Sequence, residues 1–555
     1  MMDLGESMPH KFSWIPIILM SLSGIAYHAS ATPITDTSTK VGKEINKDLH
    51  TEKTRGKQKK DKKEDEWEEY SKGEEDDKGE EDGWGEDEGE DEDTNIEQLD
   101  QLTQSINVTS TQASRLFRID GFTRSQWAVW SQRLQDDALA KARQSLDLAF
   151  RYKNDGWRLI LEQHVEYDLL YDVKDNFDAT QVELYRNQFI AGEQLIAKRL
   201  GNVELSTGRQ IIAWGEGDGL SALDLINPRD QREPGVSDID DLRLAVWMSR
   251  ARWSNHHHEL DFVIRHEGNY GLLVPPRADY SPFNSLISTM GTQLPSNIAL
   301  RFSHDREGVS TETQSYFIRY LHRGEGLDLS LYAGSLLDLQ GVLDINPVNL
   351  IQQLSMSALS GEKSSIDLRF SHRRYELIGI AGAIPFNQLL FKWEIATSLD
   401  KFVNLGNPQS IVALDIGQIS YFTGVLSATY SGLTDTTIGL EVQNGFQFSG
   451  PDNLLIPVDI PIIALRLSKN LLKERLSVNV IASAFDLSGS TENTIGLELT
   501  RGGLWRADAS YQLNDSLKLQ LGYIMYYSGR QFGPFFGLET HDRIFAGLRW
   551  DFTLY

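Results

Sequence analysis

From about Leu116 to the end of the chain, apolar side chains recur at every second position, and no other feature narrows the fold as much. Leu517, Leu519, Leu521, Tyr523, Met525 and Tyr527 alternate with Lys518, Gln520 and Gly522. Trp505, Ala507, Ala509, Tyr511 and Leu513 form a second stripe, with Arg506, Asp508, Ser510 and Gln512 on the other side. A period of two gives a strand one apolar and one polar face. Asn514-Asp515 between the stripes reads as a tight hairpin. Ile463, Leu465 and Leu467, then Leu476, Val478, Val480 and Ala482, repeat the pattern upstream. The chain is expected to be all-β and antiparallel.

A soluble sandwich also alternates, so the choice between sandwich and membrane barrel rests on three further features. Aromatic residues stand near strand ends (Trp247, Trp253, Trp393, Tyr421, Phe422, Trp505, Tyr526, Tyr527), as interfacial girdles require. The alternating runs reach about ten residues, enough to cross a bilayer at a tilt. The last strand carries Ile544, Ala546, Leu548, Trp550 and Phe552 on one face and Arg549 and Asp551 on the other. That ending resembles the signal by which bacterial outer-membrane barrels are recognised for insertion, although Thr553-Leu554-Tyr555 extend past it.

Residues 115–555 then form an outer-membrane β-barrel, and at roughly 22 to 28 residues per strand with its loops they make about 16 to 20 strands, an even number. Segments 336–364 and 486–503 are the places where the count is open. Turns at Asn154-Asp155-Gly156, Gly201-Asn202, Asn255 to His258, Pro385 to Gln388 and Asn514-Asp515 are expected at the periplasmic end. Loops at 215–242, 268–295 and 530–541 are expected outside the cell or folded into the lumen.

The N-terminal part reads differently. Lys11, the apolar stretch Phe12 to Ala26 and then Ala29-Ser30-Ala31 follow the pattern of a secretory signal peptide, residues 1–31. No later run of about 18 apolar residues suits a membrane helix. Residues 32–114 read as a disordered linker, and Asp61 to Asp93 holds 20 acidic residues and 4 lysines, most of the whole chain's net charge of −26. That segment is a solvated tail, or a tether for cations or a basic partner with Trp67, Tyr70 and Trp84 as anchors. So acidic a chain argues against nucleic acid as a partner. The absence of cysteine excludes disulfides, thiolate metal sites and cysteine nucleophiles.

The most distinctive stretch is Gly208-Arg209-Gln210, then Trp214-Gly215-Glu216-Gly217-Asp218-Gly219, Asp224, and Asn227-Pro228-Arg229-Asp230-Gln231-Arg232-Glu233. It resembles the GRQ…WGE.DG…D..NP.D.RE signature of the bacterial outer-membrane barrel family catalogued only as domain of unknown function 1302. Ser145 to Tyr152, Asp168 to Asp172, Arg466 to Arg475, Tyr511 to Gly522 and Asp542 to Phe552 extend the resemblance over residues 115 to 555. The acidic segment lies outside the shared pattern. The resemblance implies a porin-like barrel in the bacterial outer membrane, and a family whose genes often neighbour exporters of the resistance-nodulation-division superfamily. It therefore suggests traffic of lipids or other hydrophobic molecules.

Read physically, the motif is the top of one strand and the loop after it. Gly215, Gly217 and Gly219 permit a tight course, and Pro228 and Pro234 stiffen the return. Arg209, Arg229 and Arg232 are expected to pair with Glu216, Asp218, Asp224 and Asp230, fixing a loop folded inward as a constriction. The plainer reading is that these charges only tie the loop down. Arg209 shares the parity of Leu205 and Ile211, so either a bulge reverses the faces or Arg209 lies above the lipid band. The candidate pore residues are Arg209, Trp214, Glu216, Asp218, Asp224, Asn227, Arg229, Asp230, Arg232 and Glu233.

Chemistry beyond passage has thin support. His256-His257-His258 before Glu259 reads as a solvated turn, because adjacent strand residues alternate faces and do not converge on one ion. There is no G-x-S-x-G elbow and no phosphate loop. His304-Asp305 and His372-Arg373 are the remaining polar pairs, with no serine assigned to them. No cofactor and no catalytic residue is expected. The favoured reading is a channel or export component with a polar interior (Arg466, Arg506, Asp508, Lys518, Arg549, Asp551). A barrel enzyme acting on lipid or peptide, and a structural protein tethering a partner through the acidic segment, are the alternatives. Expected partners are outer-membrane lipid, the barrel-insertion machinery, and an inner-membrane exporter or periplasmic partner.

Overall fold

A computed structural model describes residues 116–554 except 136, 175–176, 178, 237–241, 275–277, 282–297, 345–351, 353–354, 357–358, 360–363, 408–409, 486–501, 528–534 and 536. The expected signal peptide and acidic segment lie outside the described residues, as do most of the loop 268–295 and of the segment 486–503.

Eighteen strands form one antiparallel sheet that closes on itself. They are β1 (Phe117–Trp130), β2 (Leu139–Asn154), β3 (Trp157–Asp168), β4 (Asn187–Leu200), β5 (Val203–Gln210), β6 (Val246–Ser254), β7 (His258–Arg265), β8 (Ser315–Arg323) and β9 (Asp328–Leu337). The second half comprises β10 (Arg374–Phe386), β11 (Leu389–Asn407), β12 (Ser410–Leu433), β13 (Thr436–Ser449), β14 (Ile462–Leu471), β15 (Leu476–Phe485), β16 (Gly503–Asn514), β17 (Leu517–Tyr527) and β18 (Arg543–Leu554). Each strand pairs with its neighbour in sequence, and β1 pairs with β18 from Ile119↔Leu554 to Trp130↔Arg543. Closure leaves no unpaired edge, which is what backbone groups in hydrocarbon require.

The period of two sorts the faces. Leu148, Leu161, Leu205, Ile318, Leu331, Leu465, Leu519, Leu548 and Trp550 point outward and are exposed. Residues of the other parity (Arg143, Glu166, Glu394, Glu441, Arg506, Asp508) are buried in the interior. An apolar belt outside a closed, charged interior places the chain in a bacterial outer membrane. Tyr526 is a correction to the girdle read from sequence: it shares the parity of Ile524, is 2% exposed, and its hydroxyl donates inward to the carbonyl of Pro234 at 2.6 Å.

One end of the barrel carries only tight connections, including Asp155-Gly156, Gly201-Asn202, Asn255 to His257, Asn387-Gln388 and Asp515-Ser516. Asp155 and Gly156 both have positive φ, 44° and 71°, the backbone that a two-residue hairpin on twisted strands needs. Long connections gather at the other end, the extracellular one by the usual rule for such barrels. Between Leu337 and Arg374 the open segment supplies no wall strand: Val342–Leu343 and Ser364–Ser371 instead join Ile298–His304 in a separate three-stranded sheet. Strands β11 and β12, of 19 and 24 residues, are longer than their neighbours, and they stay paired with each other above Leu399, where β10 has ended.

Candidate functional site

The loop between β5 and β6 enters the lumen and is fastened at both of its flanks. At its base Asn227 joins entry and exit. Its Oδ1 accepts from the amide of Ile212 at 2.8 Å, and its Nδ2 donates to the carbonyls of Gln210 and Leu244 at 2.9 and 2.8 Å. Asp224, buried, accepts from Arg229 at 2.7 Å and from Arg243 at 3.0 Å. Asn227 thereby satisfies backbone groups that a loop away from bulk water would otherwise leave bare, and Asp224 ties the loop through the two guanidinium groups.

The first flank packs on the wall. Trp214 is 4% exposed, edge-on to Phe317 and tilted against Tyr332, with the Arg319 guanidinium 5.5 Å from its ring centre. Ile212, Leu223 and Ile226 join it against Val246, Met248, Val263, Leu377 and Ala396. Between Trp214 and Leu223 the chain turns around two wall carboxylates. Glu394 on β11 accepts from the amides of Glu216, Gly217, Ala222 and Leu223 at 2.5 to 3.1 Å and from the hydroxyl of Ser221. Glu441 on β13 accepts from the amides of Asp218, Gly219 and Leu220 at 2.7 to 2.8 Å. The glycines permit the wrap: a Cβ on Gly217 would lie 1.8 Å from the carbonyl of Leu220, and one on Gly219 would lie 2.9 Å from Glu441.

The second flank crosses to the opposite wall. Arg232 donates to Glu166 on β3 at 2.6 Å and to Asp230 within the loop. Glu233 receives Lys141 at 2.6 Å and Arg143 at 2.9 Å from β2, and Arg543 at 2.5 Å from β18. Burial opposes the charge on Glu233, but Lys141, Arg543 and Arg143 outweigh it and hold the carboxyl well below its usual range. Each charge in this network has partners of opposite sign, the condition under which charges are tolerated away from water.

The candidates read from sequence thus separate. Trp214, Asp224, Asn227, Arg229, Asp230, Arg232 and Glu233 all fasten the loop. Asp218 is held by Lys392 at 2.7 Å and Thr429 at 3.2 Å, not by a loop arginine. Glu216 likewise has no loop arginine; burial first, then the neighbouring Glu394, raises its carboxyl pKa against the pull of Lys392. Arg209 faces outward opposite Trp247, in a register without a bulge, and donates to Glu267 at 2.8 Å and to the carbonyl of Ala245. The unbroken register excludes the bulge, one of the two sequence alternatives.

The loop leaves a cavity of about 990 Å³ between itself and the wall β11 to β16, with the end of β9. Leu336, Leu337, Phe485 and Leu504 line its extracellular part together with Asp338, Gln340 and Lys401, and Lys392, Thr429, Arg466, Ser468 and Asn479 line its periplasmic part together with Leu390. A second cavity, about 240 Å³, lies between the loop and β1 to β4 and is lined by Arg143, Asp147, His164 and Glu166. His304 and His372, distant in sequence, meet outside the wall at 2.8 Å. Among the described residues no group of three or more His, Cys, Asp or Glu is placed to hold a metal ion.

The strands β2 to β6 together with this doubly fastened loop are the part of the chain that a family model matches. Residues 135–260 match the family model described as Protein of unknown function (DUF1302). The match runs from just before β2 into β7 and takes in the whole inward loop. Among solved structures, Acinetobacter baumannii OccAB4 is similar at 12% identity, covering 79% of this chain and 98% of that one, with a TM-score of 0.44. Pseudomonas aeruginosa OccK11 (OpdR) is similar at 11% identity over 79% and 96% of the two chains, with a TM-score of 0.41. No curated protein matches the chain.

Proposed function

We propose that this protein is a passive outer-membrane channel in which the β5–β6 loop narrows the lumen and solutes pass between that loop and the wall β11 to β16. The observation that carries the reading is the double fastening: with Glu394 and Glu441 on one side and Arg232 and Glu233 on the other, the loop is braced across the lumen and leaves one large space beside it. A held constriction sets both the width and the field of a pore. The lining of that space mixes apolar with polar and charged side chains along its length, which suits solutes that carry an apolar body and a polar group, a range that includes lipid-like molecules.

The test is swelling of liposomes loaded with the purified, folded protein and placed in isotonic arabinose. The account expects swelling well above that of empty liposomes. Liposomes that hold correctly folded barrel and do not swell would contradict it.

A further inference from the structure

Two sides of the loop are fastened in different ways, and the difference has a functional consequence. The Arg232–Glu233 side is an ion network buried against β2, β3 and β18. The turn from Gly215 to Leu223, in contrast, is tied to the wall by eight donors that all end on two side chains, Glu394 and Glu441. Seven of the eight are main-chain amides; of the turn's own side chains, Ser221 supplies the eighth and Asp218 adds its contacts with Lys392 and Thr429. A carboxylate is the side chain best suited to this, since it offers about four acceptor positions and no donor. Asp218, Gly219, Leu220 and Ser221 border the large cavity, and so does Glu441.

We infer that Glu394 and Glu441 are positioning residues that set the size limit of the channel by holding the Gly215–Leu223 turn against the wall. The inference rests on the channel reading above. Trp214 and Leu223, both buried, mark the ends of the part that moves when the carboxylates let go. Replacing either carboxylate by an amide leaves one acceptor oxygen and turns an N–H₂ group toward donors, so several amides lose their partner at once.

The experiment uses Glu441→Gln and Glu394→Gln in the full chain, with Gly217→Ala as a third variant. Gly217→Ala leaves both wall carboxylates in place but breaks the wrap of the turn around them, because the new Cβ would sit 1.8 Å from the backbone carbonyl oxygen of Leu220. Two readouts are taken. Liposome swelling in neutral sugars of increasing size, arabinose to raffinose, reports the size limit without any contribution from the changed charge. Maleimide labelling of Leu220→Cys, unique because the chain has no cysteine, reports release of the turn directly.

All three variants should admit raffinose more readily relative to arabinose, and should label at about ten- to a hundred-fold the rate of the single-cysteine parent, the scale of losing one or two charge-assisted hydrogen bonds. An unchanged size limit with unchanged labelling overturns the inference. If no sugar enters through any protein, the channel reading fails, while the labelling rates still decide whether the two carboxylates hold the turn. A glutamine variant that does not fold leaves Gly217→Ala to give the answer, since its change lies in the loop and not in the wall.

Discussion

Arg232 Nη1 lies 2.6 Å from Glu166 Oε1, and the two side chains, 3% and 5% exposed, join the inward loop to the opposite wall of the barrel. The same guanidinium also reaches Asp230 at 2.6 Å. Removing it takes a charge-assisted partner from Asp230 and from Glu166, which keeps Arg143 at 3.5 Å and His164 at 3.2 Å, so Arg232→Ala should cost about 1.5 to 3 kcal/mol of loop docking. Strand pairing does not pass through this contact. The variant should therefore keep its heat-modifiable migration on gels while its channel current becomes noisier. Asp230→Asn, which keeps the Glu166 contact, should show a smaller effect in the same direction.

Trp214 anchors the other flank. Trp214→Ala empties a site enclosed by Phe317, Tyr332 and the Arg319 guanidinium, and large-to-small changes of this kind cost about 3 to 5 kcal/mol. Hydrogen exchange of the amides of Ile212 and Leu223 is the appropriate measurement. Both should exchange faster in the variant, and the amides of β14 and β15, which the loop core does not touch, should stay as they are.

Arg209 supplies a contrast within one motif. Its guanidinium bridges Glu267 and the carbonyl of Ala245 on the outer side of the wall. Arg209→Gln should loosen the extracellular segment around Glu267, seen as faster limited proteolysis there. It should leave the size limit for sugars as in the wild type.

How far the sequence carries the fold differs from residue to residue. The alternation in β16, β17 and β18 is legible because lipid and lumen impose opposite demands on successive positions, and the hairpin at Asn514 follows from turn chemistry. Tyr526 was misplaced for the opposite reason: aromatic clustering with Tyr527 suggests a girdle, while parity with Ile524 fixes it inward. In the site, Trp214, Asn227 and Arg232 stand out because they sit in a dense motif. Glu394 and Glu441 do not, since a lone carboxylate on the inward parity of a strand looks like any other lumen residue, and its partners are backbone amides that carry no sequence signal. The binding side of Arg209 also lay beyond reach, because Glu267 is 58 residues away.

The paired histidines give a pH dependence. Burial, and then the neighbouring His372, pushes His304 down to about 3; burial also lowers His372, against its bond to the carbonyl of Asp338 and the nearby charge of Asp305. Arg265 faces the pair from β7 and adds to the lowering, while Tyr270 stacks on His372. A base whose folded pKa is depressed is neutral in the fold, so its contribution is complete above the unfolded value near 6.5 and is lost as pH falls toward 3. Amide protection factors in Ile298–His304 and Ser364–Ser371 should therefore fall between about pH 6.5 and 4, whereas those of the barrel strands should not follow. His304→Gln should make that fall shallower, and an unchanged steepness would show that the pair is not its source.

Single-channel recording in planar bilayers, comparing the wild-type protein with Arg232→Ala at equal amounts of folded barrel, tests the central claim most directly. The account predicts discrete, steady conductance steps for the wild type, and larger or flickering steps for the variant, because the loop that narrows the lumen has lost one of its two fastenings. A folded wild-type barrel that carries no current, or two proteins with identical steps, would contradict the claim that a braced inward loop defines an open path through this barrel.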